Sequence, residues 1–136
     1  MDQRGQTTVL VVGLALLCFA VAGIAVDGTR AFLLRRTLQN AADSSALAGA
    51  SELDRERYYE SGGRVVLLDP ELAGSVASSW LARRGIGSNV LLAVDEEAIE
   101  VHIRDRLDTT FLNLIGVGTL AVEARARAEP LYPAAP

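Results

Sequence analysis

The sequence predicts an α+β protein. A long N-terminal helix crosses a membrane, continues outside it and carries a small head of one helix and a three-stranded antiparallel sheet. Three observations lead there. No charged residue occurs from Thr7 to Val26. No proline interrupts the chain before Pro70. Two late segments, Ala98–Arg106 and Thr119–Ala128, alternate apolar and polar residues, the period of a half-buried strand.

Composition narrows the function classes. The chain has 136 residues, 50% hydrophobic but only 5% aromatic, so its apolar surplus is aliphatic and small. Without the uncharged stretch, too little remains for a large enzyme core. A net charge of −4 argues against a nucleic-acid binder, which would be basic. The single cysteine, Cys18, sits in the apolar run as a small hydrophobe and permits no intramolecular disulfide. All 13 basic residues are arginine.

The apolar run, Val9–Val26, reads VLVVGLALLCFAVAGIAV, and Thr7 and Thr8 extend it to the length of a membrane-spanning helix. Its Leu, Ile, Val and Phe side chains favour insertion by about 5 kcal/mol, at roughly 0.3–0.6 kcal/mol each. Ala20-Val21-Ala22 imitates a signal-peptidase site, but the run continues past that cut, beyond the length of a signal h-region. Arginines flank both ends, Arg4 before and Arg30, Arg35 and Arg36 after, so charge alone leaves the orientation open.

Past Val26 the pattern becomes amphipathic. Ala31, Leu34, Leu38, Ala41, Ala42 and Ser45 recur at three- and four-residue spacing, which extends the helix to about Leu53. Gly23 and Gly28 are candidate bending points. Asp27 with Arg30, and Gln39 with Asp43, are placed to pair along the helix. Two rows of small residues, Ala41-Ser45-Gly49 and Ala42-Ala46-Ala50, form a face that another helix can approach closely. That helix belongs to the chain's own head or to a neighbouring subunit, and both can hold on one helix.

The head follows. Leu53–Gly63 reads as a charged loop closed by a glycine pair. Asp69-Pro70-Glu71 starts a helix that runs to Arg84 and ends at Gly85, with Leu72, Val76, Trp80 and Leu81 on its buried side. Val90–Val94 reads as a buried strand, Asp95-Glu96-Glu97 as a polar turn, and Ala98–Arg106 as the second arm of a hairpin. Thr109–Ile115 reads as a helical turn before Gly116. Thr119–Ala128 is the third strand. The organisation is thus 1–6 N-terminal segment, 7–26 span, 27–53 amphipathic continuation, 54–130 head and 131–136 proline-rich disordered tail.

RGQTTVL at Arg4–Leu10 and VDGTRAFLLRRTLQNAADSSALAGA at Val26–Ala50 resemble the N-terminal segment of TadE/TadG-like pilus-assembly proteins of the tight-adherence (Flp) system. Arg4, Gly5, Asp27, Arg30, Arg35, Arg36, Leu38, Gln39, Ala41, Ala42 and Asp43 carry the match. Phe111–Ala128 is similar, more weakly, to the C-terminal end of TadG-like proteins. The resemblance implies a pilin-like or pseudopilin-like, non-enzymatic component that helps to build or anchor an adhesive pilus. It also implies a cytoplasmic N-terminus and an extracytoplasmic head. The partners it implies are the lipid membrane, other pilus-system membrane proteins and further copies of the chain. In one respect the chain departs from type IV pilin-like precursors, which are cut after a glycine with a glutamate five residues on. Counting from Gly5, that position is Leu10, which favours an uncleaved, membrane-resident protein.

A search for chemistry finds none. His102 is the only histidine and lies on the exposed face of a strand, without the partners that a metal or catalytic role needs. Asp95, Glu96 and Glu97 lack the spacing of a calcium loop. Trp80 reads as a core anchor before a ligand platform. Arg125 and Arg127 are set to pair with Glu100 or Glu123 across strands. No cofactor, metal or nucleic acid is expected. The alternative reading is a membrane-anchored binding module or enzyme with an unrecognised site.

Overall fold

The apolar run and its amphipathic sequel form one helix in the computed structural model, which describes residues 3–130. This helix, α1 (Gln3–Ala50), is unbroken. It ends three residues before the expected Leu53, and Gly23 and Gly28 do not interrupt it. The tail expected to be disordered, 131–136, lies outside the described residues, as do Met1 and Asp2. The remaining elements are α2 (Arg55–Glu60), α3 (Pro70–Arg83), β1 (Val90–Val94), β2 (Ile99–Asp108), a 3-10 turn at Leu112–Ile115, and β3 (Thr119–Ala128). The strands form one sheet in the order β1-β2-β3, so the α+β expectation is borne out.

The described chain falls into two compact units. One joins α1 up to Leu34 with Arg106–Val122, and the other joins Arg35–Asp105 with the chain from Glu123 onward. In the second unit the core is aliphatic. It contains Leu38, Val66, Leu68, Leu81, Ile99, Val101 and Ile103, together with a set of buried alanines. Alanine suits this core because α1 and α3 lie close together. A side chain at Gly49 of α1 would meet the Ala73 carbonyl of α3 at 3.0 Å and the Ala77 methyl at 3.4 Å.

That closeness corrects the expected buried side of α3. Ala73, Ala77 and Leu81 are buried, at positions i, i+4 and i+8, whereas Leu72 is exposed and Val76 and Trp80 are half-buried. The face is chosen by how near the helices come, and only small side chains fit there. Trp80 instead lies partly under the guanidinium of Arg84, 4.0 Å from its ring centre.

α3 begins as its sequence requires. Asp69 accepts hydrogen bonds from the amides of Glu71 (3.1 Å) and Leu72 (3.0 Å), and Pro70 opens the helix where no amide is needed. Gly85 follows the C-cap with φ +74°, a conformation that costs glycine no side-chain clash. Replacing Asp69 with alanine is expected to lower unfolding stability by about 0.5–2 kcal/mol, read as a shift in the denaturant midpoint at constant slope.

Two expectations for the head need correction. The charged stretch after Leu53 is not all loop. Arg55–Glu60 is the helix α2, capped by the Asp54 carboxylate on the Arg57 amide at 3.1 Å. Arg57 then pairs with Glu96 at 2.8 Å, tying α2 to the β1–β2 turn, and Leu53 and Leu68 form an isolated antiparallel bridge. Nor is β1 a buried strand. Leu91 and Ala93 are exposed because β1 is a sheet edge with one face uncovered. The antiparallel hairpin itself forms as expected, with Val94 opposite Ile99 and Val90 opposite Ile103. Asp95 closes its turn by accepting from the amides of Glu97 (2.8 Å) and Ala98 (2.7 Å), which hold its carboxyl below the usual carboxylate range.

Candidate functional site

Three features carry functional information: the apolar run, the residues around Asp27, and the polar face of the sheet.

The apolar side chains of α1 from Val9 to Val26 are 43–73% exposed. Among the described residues little covers this stretch apart from the contact at Gly23, and it is long and apolar enough to cross a membrane. Cys18 is exposed within it.

Asp27 is the first residue after the run. It is 0% exposed, one of few buried polar residues among those described. Its carboxylate accepts three backbone hydrogen bonds, from the amides of Thr110 (3.0 Å), Phe111 (2.8 Å) and Leu112 (2.8 Å). These lie at the start of the 3-10 turn, where amides have no partner within the turn itself. Arg30, one turn on, donates to the Thr110 hydroxyl at 2.9 Å and stands 3.6 Å from the Asp27 carboxylate. The amide of Leu112 is the largest influence holding the Asp27 carboxyl below its ordinary value. Burial opposes it, and the Thr110 and Phe111 amides and the Arg30 charge add to it. The carboxylate thus serves as a remote cap, with all three donors drawn from one turn of chain.

One helical turn before Asp27, Gly23 is buried on the same side of α1. A side-chain carbon there would lie 2.7 Å from the β-carbon of Phe111. Gly23 is therefore a site of close approach, not a bend. Substituting alanine at Gly23 is expected to push Phe111 off α1 and to increase proteolytic cleavage within 109–118, while cleavage in 54–64 stays unchanged.

The loop after the cap is internally bonded. The Leu114 amide donates to Phe111, Gly116 to Asn113 and Val117 to Leu112, at 3.0–3.1 Å. Thr109 donates its amide to Gly118 at 3.0 Å and its hydroxyl to the Val117 carbonyl. Gly116 closes the turn at φ +90°.

The polar face of the sheet in the second unit is an ion-pair ladder. Glu100 pairs with Arg127 across strands at 2.8 Å, as expected, whereas the cross-strand partner of Glu123 is Arg104 at 3.2 Å, and Arg125 approaches Glu123, at 3.5 Å, along β3 itself. His102 lies 3.3 Å from both the Glu123 carboxylate and the Arg125 Nε. The His102 hydrogen bond is foremost in holding the Glu123 carboxyl low, ahead of the nearby arginines and against burial. No cluster of three His, Cys, Asp or Glu residues suited to a metal occurs among the described residues.

Asp27 and Arg30 stand together at the capped loop. Gln39 donates to Asp43 at 2.9 Å and to the Arg125 carbonyl at 2.8 Å. Leu38, Ala41 and Ala42 are buried, whereas Arg35, Arg36 and Asp43 are exposed. Arg4 and Gly5 fall in the first turns of α1. Ala41, Ala42, Ser45, Ala46, Gly49 and Ala50 are all buried within this chain, with Ile99 of β2 as well as α3 against Gly49. The small-residue face therefore packs on the chain's own head. Sequence reasoning missed the amides of Thr110–Leu112 as partners of Asp27. The only signal was an acidic residue at the edge of an apolar run, together with a glycine four residues before it.

The chain thus combines one N-terminal helix that is long and apolar enough to cross a membrane with further α and β elements, an α+β protein in outline. The model of the TadE/G-like Flp pilus-assembly family matches residues 5–52, the stretch that carries the stronger resemblance read from the sequence, and does not extend to Phe111–Ala128. No curated protein and no solved structure matches the chain significantly.

Proposed function

We propose that this chain is a non-enzymatic, pilin-like component of a tight-adherence pilus system. It is held in the membrane by residues 7–26, with the N-terminus in the cytoplasm and the head outside. The observation that supports this most directly is the overlap of two features. The pilus-assembly family match over residues 5–52 contains the stretch of α1 whose apolar surface the chain leaves uncovered. An uncovered aliphatic helix of this length is costly in water and stable in lipid. Lateral association then runs through the span, because the small-residue rows beyond it are already covered by the head. With Leu10 in place of a glutamate, the protein stays in the membrane as an assembly or anchoring component and is not a major fibre subunit.

Mass spectrometry of the mature N-terminus, with carbonate extraction of membranes, tests this reading. Retention of Met1 or Asp2 in a carbonate-resistant membrane fraction supports it. A start at Gln6 with recovery in sheared fibres replaces it with a processed pilin. A start just after Ala22 in the soluble fraction overturns it.

A further inference from the structure

We propose that residues 110–118 form a lipid-contacting anchor, a loop that lies in the bilayer interface beside the emerging helix and is fastened there by Asp27. The proposal rests on the membrane reading of residues 7–26 and adds a second point of lipid contact, more than 80 residues further along the chain.

Three observations carry it. The first is depth. Asp27 holds the loop by its amides at the end of the apolar run. Phe111 then reaches back to Gly23, which lies inside the run. Four residues of helix are about 6 Å along the axis, so the loop descends beside the last turn of the span. If that turn is at the membrane surface, so is Phe111. The second is what the loop presents. Leu114 and Ile115 are 81% and 70% exposed, and Val117 is exposed beside them. Leu114 is more exposed than any of the large apolar residues of the span. The third is the state of its backbone. Irregular chain at membrane depth is tolerated only where its polar groups are satisfied. Here the amides of Thr109, Thr110, Phe111, Leu112, Leu114, Gly116 and Val117 all have acceptors, three of them supplied by Asp27. A solvated surface loop has no need of a buried carboxylate to pair its amides. A loop that enters the interface, about 5–10 Å deep, does.

The test uses the full chain with Cys18→Ser, reconstituted at high dilution in phosphatidylcholine–phosphatidylglycerol vesicles. A single cysteine is introduced as Leu114→Cys, as Ile115→Cys or, for reference, as Leu16→Cys, and is labelled with an environment-sensitive fluorophore. Lipids brominated near the headgroup or near the chain end serve as quenchers. Both loop positions are exposed, so their substitution leaves the fold intact. The expected result is quenching of the Leu114 and Ile115 labels chiefly by the headgroup-proximal bromines, with Leu16 quenched more by the chain-end bromines. Quenching at Leu16 but at neither loop position overturns the loop anchor and leaves the membrane span standing. Absence of quenching at all three overturns the membrane reading and the anchor with it.

Discussion

Replacing Asp27 with alanine is expected to unfasten residues 110–112 and to raise hydrogen exchange at their amides by about tenfold or more, since three buried donors lose their acceptor together. Asparagine keeps one carbonyl oxygen in the same place, so Asp27→Asn should fall between wild type and alanine. Exchange within α3, in the other unit, should not change. If protection at 110–112 is the same in all three proteins, the carboxylate does not hold the loop. The pH dependence has a definite sign. The folded carboxyl titrates below its ordinary value of 3.8, so its contribution is fully present above that value. It is lost only as the pH falls through the lower, folded value. Protection factors at 110–112 should therefore stay level from neutral to mildly acid pH. They should collapse in strong acid, and a decline that begins near neutrality would contradict the assignment.

The second large effect is expected at Gly49. A β-carbon there would stand 2.6 Å from the Ile99 Cδ1 and 3.0 Å from the Ala73 carbonyl, and the carbonyl belongs to backbone that cannot turn aside. Gly49→Leu should cost about 1–3 kcal/mol or more of unfolding stability, measured by chemical denaturation in mild detergent. Gly74 in α3 is the control. Its nearest neighbour would be the Val94 methyl at an ordinary 3.7 Å, so Gly74→Ala should gain roughly 0.5–1 kcal/mol from helix propensity. If Gly49→Leu keeps wild-type stability but loses crosslinking between copies, the small-residue face belongs to a subunit interface after all.

What was legible in the sequence was whatever repeats with a period or sits at a fixed offset. The alternation in β2 and β3, the Asp69-Pro70 helix start, the polar turn at Asp95 and the glycine stop at Gly85 depend on residues a few positions apart, so each could be read locally. Helix α2 escaped because six charged and aromatic residues are too few to show a period, although Asp54 was there as a cap. The buried stripe of α3 was misplaced because hydrophobicity ranks Leu72 and Val76 above Ala73 and Ala77, while the approach of Gly49 favours the smaller pair. The continuous apolar run of β1 reads as covered on both faces, and nothing in the residues themselves reveals that it is the sheet edge. The partners of Asp27 were invisible for a different reason. Its donors are backbone amides, which every residue except proline possesses, so no side-chain pattern marks them. Similarly, the role of Gly23 becomes apparent only when Phe111 is beside it.

The Asp27 contact also has a meaning in time. Its two halves are separated by 83–85 residues, so the helix is synthesised well before the amides that cap it. Until the chain reaches Leu112, the end of the apolar run carries a carboxylate without its donors. Such a contact is slow to form, because a long loop must close before it yields any benefit. A chain truncated before Thr110 can never form it. The cap thus marks progress of the chain past Leu112: a protein folded to that point hides this charge, and a shorter one leaves it in view.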